Sequence, residues 1–388
     1  MTIAALVVAL ALGGCLAAPA DTPASSASPT PGTPAPSPSL DPATALQAML
    51  DDRREAYGAP GAVAGLRLGA AEWTATSGTA DLDGTPITGE TRFRIASITK
   101  TIVAALVVDA VRRGELRLDD VVGDLVPGLL REDPPVTLRQ LLDHTSGIFD
   151  PSNEGDVADV QRLPPDLRRQ AETLLEQYSA GEAVVVPAAL WIALAETRDR
   201  YFEPGTDYHY SNTNYQVAGL VLERVTGRSL ADLLRERMFE PLGLRHTTLA
   251  PVDTSSPEMR GYEIGAGGEL ADVTDNLFFF GNGASGGIVS TAGELLTIIQ
   301  AIAAGRFATP DLLAEQTTPN LASYGLGIGI NPLICGGLAL GHNGLVNGTH
   351  STALVTPGGR DGVVIAVNLG AADDPLLPYL AGRALCWR

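Results

Sequence analysis

Apolar residues follow two rhythms along this chain, and the rhythm changes twice. Residues 61–68 and 72–77 alternate enough to read as strands, with a Gly-Ala-Ala turn between them. Residues 324–330, 338–341, 351–356 and 362–368 read as strands near the other end. The middle is helical in pattern from about 137 to 240, interrupted by prolines and by residues 208–214, with one helix expected over 213–226. Asp41-Pro42 opens a helix over 43–57, with Asp as N-cap and Pro at the first position. A strongly apolar helix is expected over 97–113, stopping at Gly114, and a last one over 374–386. No repeat of solenoid period occurs. Strands from both ends around a helical middle imply an α/β (α+β) fold. One antiparallel sheet is built from both chain ends and flanked by helices, with a helical subdomain at about 115–275.

Composition narrows the setting. The chain has 388 residues, 45% hydrophobic and 18% charged, with a formal net charge of −19. That length supports one large catalytic unit. The acidity argues against nucleic acid as a partner and gives no attraction to anionic lipid. Residues 3–12 form an apolar run too short to span a bilayer, ending in Leu12-Gly13-Gly14-Cys15. The ending looks like a bacterial lipobox, so 1–15 reads as a lipoprotein-type signal with Cys15 lipidated; an ordinary secretory signal cut nearby is the alternative. Residues 16–40, rich in Ala, Pro, Ser and Thr, cannot bury enough apolar surface to fold and read as a disordered tether. The catalytic domain is then 41–388, exported, at the outer face of the membrane by lipid anchor only, or secreted. Cys335 and Cys386 remain as an even pair, either a disulfide in an oxidising compartment or two buried thiols.

One residue type singles out the chemistry. Of 26 basic side chains 25 are arginine, and the single lysine, Lys100, follows Ser97 by three positions. Arginine cannot give up its proton in a protein; a buried lysine can. Three residues apart on a helix, the two share a face, with Ser97 at the N-terminus where free N–H groups stabilise an oxyanion. Ser97 and Lys100 are thus a candidate nucleophile and general base. Two further clusters have suitable chemistry. In Tyr210-Ser211-Asn212, a phenol near a lysine can relay a proton and an amide can hold a substrate carbonyl. In His342-Asn343-Gly344, at a strand edge, a glycine lets substrate backbone approach and an imidazole can polarise the site. Gly283-Ala284-Ser285-Gly286-Gly287 fits a G-x-S-x-G elbow, but nearly three quarters of the chain precedes it without repeated βαβ units. His144, His209, His246 and His350 lack ligand spacing and read as structural or exposed. No motif suggests a metal or organic cofactor.

Taken in order, Ser97-x-x-Lys100, Tyr210-x-Asn212 and His342-x-Gly344 resemble the three motifs of the penicillin-recognising serine hydrolases, in the β-lactamase/transpeptidase-like branch. That branch contains D-alanyl-D-alanine carboxypeptidases, class C β-lactamases, and related esterases and D-aminopeptidases. Leu141-Leu142-Asp143-His144-Thr145-Ser146-Gly147, Phe202-Glu203-Pro204-Gly205, Pro241-Leu242-Gly243-Leu244 and Ser285-Gly286-Gly287 extend the likeness, over about 46–385. The resemblance implies an acyl-enzyme on Ser97, with Lys100 and a Tyr210 phenolate taking the serine proton. It gives the oxyanion hole to the N–H groups of Ser97 and Leu345. Asn212 would position the acyl side-chain amide, and the His342 region would support charge near the leaving group. The bracket of Cys335 and Cys386 around His342 resembles secreted D-alanyl-D-alanine carboxypeptidases, which makes a peptidase on cell-wall peptides the leading expectation. An esterase, D-aminopeptidase or β-lactamase is the alternative, and a slowly turning-over penicillin-binding sensor the non-enzymatic one. Three positions depart from the carboxypeptidases: Gly329, Asn343 and Leu345 stand where those enzymes carry an arginine and two hydroxyl residues that bind the substrate carboxylate.

Overall fold

The computed structural model describes residues 41–387 except 155–156, 181, 183, 250–257, 276–282 and 371–375. The expected leader, Cys15 and the tether lie outside the described residues. Strands follow in the order β1 (Gly61–Leu68), β2 (Ala71–Gly78), β3 (Phe93–Arg94), β4 (Thr248–Leu249), β5 (Tyr262–Ile264), β6 (Leu270–Asp272), β7 (Ile288–Ser290), β8 (Gly329–Pro332), β9 (Leu338–Val346), β10 (Thr349–Val355) and β11 (Asp361–Val367). The main sheet runs β2-β1-β11-β10-β9-β8, antiparallel throughout, so strands from both chain ends meet at β1 and β11. Small sheets β3-β7-β4 and β5-β6 accompany it.

Both faces of the main sheet are covered. On one, Ala62, Ala64 and Leu66 of β1 and Val363, Ile365 and Val367 of β11 pack with Leu46 and Leu50 of helix α1 (Pro42–Tyr57) and with Leu377 and Ala381 of the C-terminal helix. On the other, Val63, Val364 and Ala366 join the larger core with Ala292, Leu295 and Leu296 of the Ala292–Ala303 helix. Odd and even positions divide between the two cores because side chains alternate along a strand. Helix α2 (Ile98–Arg112) lies within the larger core, and every residue from Ile98 to Ala110 is buried. A helix apolar all round can be placed only there.

Several expected elements shift. The helical middle ends at Leu242, and three short strands fall between 248 and 272, where two- and three-residue runs leave no readable period. The strand expected over 324–330 begins only at Gly329. Tyr324 to Ile328 is instead a tight turn closed by Gly325 N–H donating to the Ile328 carbonyl, with Gly327 at φ +76°. A left-handed glycine turns the chain back where a strand would continue. The strand expected over 338–341 runs on through the His342 cluster to Val346. The last helix is described from Leu376 to Ala384, and its expected start at 374–375 lies outside the described residues. Cys335, in the β8–β9 connection, and Cys386, after that helix, form a disulfide with Cα atoms 5.8 Å apart.

Candidate functional site

Ser97 stands at the N-cap of α2, on a turn whose preceding residue, Ala96, has φ +49°. Left-handed backbone at a residue with a Cβ is strained and persists only where its surroundings enforce it. Among the described residues three non-glycine positions adopt it: Ala96, His144 and Ser323. Ala96 and Ser323 immediately precede Ser97 and Tyr324 in the chain, and the His144 ring packs on that of Tyr210.

Lys100 Nζ lies 3.0 Å from Ser97 Oγ and donates to the Ser285 carbonyl at 2.6 Å. The side chain is wholly buried. Burial lowers its pKa from the ordinary 10.5 to about 7, against a smaller opposing pull from the Asp150 carboxylate. In the neutral form one amine hydrogen serves the Ser285 carbonyl, and the lone pair is available to the Ser97 hydroxyl hydrogen. Ser285, centre of the G-x-S-x-G run, therefore supplies a carbonyl to the lysine, while its hydroxyl accepts from Gln216 Nε2 at 3.0 Å. The elbow reading fails on this geometry, since the run forms one short helical turn, Gly283–Gly286, beneath Lys100. Residues 278–280 lie outside the described residues.

Tyr210 contacts Ser97 by a side-chain hydrogen bond, and Lys100 Nζ sits 5.0 Å from its ring centroid. The expected phenolate is not favoured: burial raises the Tyr210 pKa well above its usual value, outweighing its hydrogen bond with Ser97. A raised pKa favours the protonated phenol, which leaves Lys100 as the group beside Ser97 better placed to take a proton. The loop that carries Tyr210 is held from both sides by His144. The His209 N–H donates to the His144 carbonyl at 3.1 Å, and the Ser211 N–H to His144 Nδ1 at 3.2 Å. Asn214 Nδ2 lies 3.1 Å from the same Nδ1. With Nδ1 accepting, Nε2 carries the hydrogen. Burial and the neighbouring Lys100 hold this imidazole neutral, and its ring lies 4.3 Å from that of Tyr210. His144 is thus structural, as expected, but in the wall of the site. His209 stacks on Tyr201 and faces Glu154, His246 faces Glu90, and His350 is buried in β10.

Asn212 opens the Asn212–Thr226 helix. Its side-chain Nδ2 donates to Asp150 Oδ2 at 3.0 Å and to Ser152 Oγ at 2.8 Å. The amide hydrogens expected to hold a substrate carbonyl are therefore spent inside the protein.

On the other wall, β8 pairs with β9 only as far as Gly341. Val346 and Thr349 close the β9–β10 turn, so His342 and Gly344 ladder with β10. The backbone groups of Asn343 and Leu345 then point to the open side, toward the cleft. The missing side chain of Gly344 accommodates the Ile95 carbonyl and Ser351 Oγ, where a Cβ would collide. That corrects its expected role of admitting substrate backbone: it brings β9 against the turn that carries Ser97. His342 Nδ1 donates to the Asn343 carbonyl at 2.5 Å, and its Nε2 accepts from the Tyr324 hydroxyl at 2.9 Å. Burial, then the Lys100 charge, lower its pKa to about 4. The imidazole is neutral with both nitrogens engaged, so it braces the strand edge and brings no positive charge to a leaving group. Asn343 Oδ1 accepts from Thr352 Oγ1 at 2.8 Å, and Leu345 is 44% exposed.

The structure thus gathers Ser97, Lys100, Tyr210, Asn212, His342, Asn343, Gly344 and Leu345 around one cleft, with Gly329 at the β8 end beside Gly341. Sequence reasoning missed Asp150, Tyr324, the Ser285 carbonyl and the strained Ala96. The run from Leu141 to Gly147 was the available signal for the first of these, since Asp150 follows it by three residues.

A serine 3.0 Å from a buried lysine of lowered pKa, beside two inward-facing strand N–H groups, is an arrangement that can carry acyl transfer. The family model described as Beta-lactamase matches residues 46–385, and the chain belongs to that family. A D-aminopeptidase of Cereibacter sphaeroides is 29% identical over 352 residues, covering 88% of this chain and 63% of that protein. The chain thus spans less than two thirds of the length of that relative. Among solved structures, a D-stereospecific amidohydrolase from Streptomyces sp. is 30% identical at TM-score 0.72, over 88% of this chain and 98% of the other. A D-amino acid amidase from Ochrobactrum anthropi SV3, complexed with D-phenylalanine, is 25% identical at TM-score 0.73, over 89% and 98%.

Proposed function

We propose that this protein is an exported hydrolase of D-aminoacyl amides and short peptides with a free D-amino-terminal residue. The D-aminopeptidase and D-amino acid amidase relatives support this over the carboxypeptidase expectation. So do the residues at the carboxylate-binding positions. Gly329 and Leu345 offer a carboxylate no cation and no hydroxyl, and each charge-assisted hydrogen bond forgone is worth roughly 1.5–3 kcal/mol. Export is supported by the Cys335–Cys386 disulfide, which suits an oxidising compartment. Anchoring through Cys15 belongs to the same proposal.

The observation that carries the chemistry is the 3.0 Å approach of a lysine with pKa about 7 to Ser97. Ser97 Oγ attacks the amide carbonyl as Lys100 Nζ takes its proton. The N–H groups of Ser97 and Leu345 receive the developing oxyanion. The ammonium of Lys100, with the neutral phenol of Tyr210 as the adjacent proton carrier, returns that proton to the departing amine. Water, deprotonated by the same lysine, then releases the D-amino acid from the ester. The test is a panel on the full chain: D-alaninamide, L-alaninamide, D-alanyl-D-alanine ending an N-acylated peptide, a short-chain ester and nitrocefin. The expected result is highest kcat/KM on D-alaninamide. Faster cleavage of the N-acylated peptide, or equal rates on the two alaninamides, contradicts the proposal.

A further inference from the structure

Asp150 fixes which end of the Asn212 amide is left to accept a hydrogen bond. Its Oδ2 accepts from the Asn212 backbone N–H and from Nδ2, both at 3.0 Å. Its Oδ1 accepts from the Ser152 N–H at 3.1 Å and the Ser152 hydroxyl at 2.6 Å. Four donors converge on a fully buried carboxyl group, which commits it to accepting. The second Nδ2 hydrogen goes to Ser152 Oγ. Turning the amide over would set its oxygen against both Asp150 and Ser152, so Nδ2 is held inward with its two hydrogens used. What remains is Oδ1. It accepts no hydrogen bond among the described residues and belongs to a half-buried side chain two positions from Tyr210.

We infer that Asn212 Oδ1 is the acceptor that reads the substrate's free α-ammonium group, an inference resting on the D-aminoacyl reading above. An ammonium brings donors and positive charge to an oxygen backed by the Asp150 carboxylate. An N-acylated substrate brings a carbonyl that needs a donor Asn212 has already spent. The substrate class is therefore set by hydrogen-bond polarity: unblocked D-aminoacyl compounds, with N-acylated and desamino analogues rejected.

The experiment compares kcat/KM for D-alanine p-nitroanilide, N-acetyl-D-alanine p-nitroanilide and propionyl p-nitroanilide, in the wild-type chain and in Asn212→Leu. The wild type should prefer the free amine by about tenfold to a hundredfold, the range of one charge-assisted bond. Asn212→Leu should bring that ratio close to one, chiefly by raising KM for the free amine. A purely helix-capping Asn212 would slow all three substrates alike and leave the ratio standing, which overturns the inference. Equal wild-type rates on the free and acetylated anilides overturn it too, while leaving the hydrolase reading intact; this comparison decides even if the variant fails to fold. Cleavage of nitrocefin or D-alanyl-D-alanine peptide with no anilide turned over removes the functional reading and the inference together.

Discussion

A buried amine weakens a fold most where the pH would protonate it, and Lys100 is such a group. Its pKa falls from the ordinary 10.5 to about 7 on burial. Between those values the unfolded chain binds one proton more than the folded chain. Stability therefore rises with pH through that window, and the full penalty is present below pH 7. Relative to Lys100→Met, the wild type should gain about 3 kcal/mol in urea unfolding between pH 6 and pH 9, at 1.36 kcal/mol per unit. A gap that does not change with pH would contradict the lowered pKa. Activity should follow the same group: kcat/KM rises through about pH 7 as Lys100 loses its proton. His342, lowered to about 4, adds no limb between pH 5 and 9. Lys100→Arg keeps charge but removes the base, and should cost about 10²–10⁴ in kcat. At this scale the sequence was informative, because a solitary lysine stands out by composition alone. The charge states of Tyr210 and His342 were not legible, since both depend on burial that only the folded chain creates.

Among elements, β9 is the one whose position the chemistry depends on. Gly344 lets it close on the Ile95 carbonyl, which brings Leu345 toward Ser97. Gly344→Ala should push the strand away, lowering stability by about 1–3 kcal/mol and kcat by more than its effect on KM. Thermal unfolding and steady-state kinetics on a p-nitroanilide separate the two. Unchanged kcat would show that β9 does not form the oxyanion hole. Helix α2 was readable from its apolar run and its glycine stop, within one residue at each end. The turn at Tyr324 was not, because apolar residues between glycines look the same in a strand and in a packed turn. The polarity of Asn212 was equally hidden: its partners, Asp150 and Ser152, lie some sixty residues away in sequence.

For the whole molecule, the meeting of both chain ends in one sheet is what the alternation of strands, helices and strands implied, and β1 beside β11 realises it. The β3-β7-β4 and β5-β6 sheets were invisible because strands of two or three residues carry no period. The Cys335–Cys386 disulfide closes a 51-residue separation from the β8–β9 connection to the C-terminal helix. Removing it by Cys335→Ser with Cys386→Ser should lower stability by about 2–4 kcal/mol in denaturant unfolding. A loss under about 1 kcal/mol would mean that packing of the C-terminal helix on β10 and β11 suffices without it.

Because the chain has one lysine, uniform labelling with ¹³Cε-lysine yields a single resonance for the group on which catalysis depends. Its chemical shift, followed against pH in the intact folded protein, should titrate with a midpoint near 7. A midpoint near 10.5 would mean an ammonium at neutral pH, unable to take the Ser97 proton, and would contradict the account.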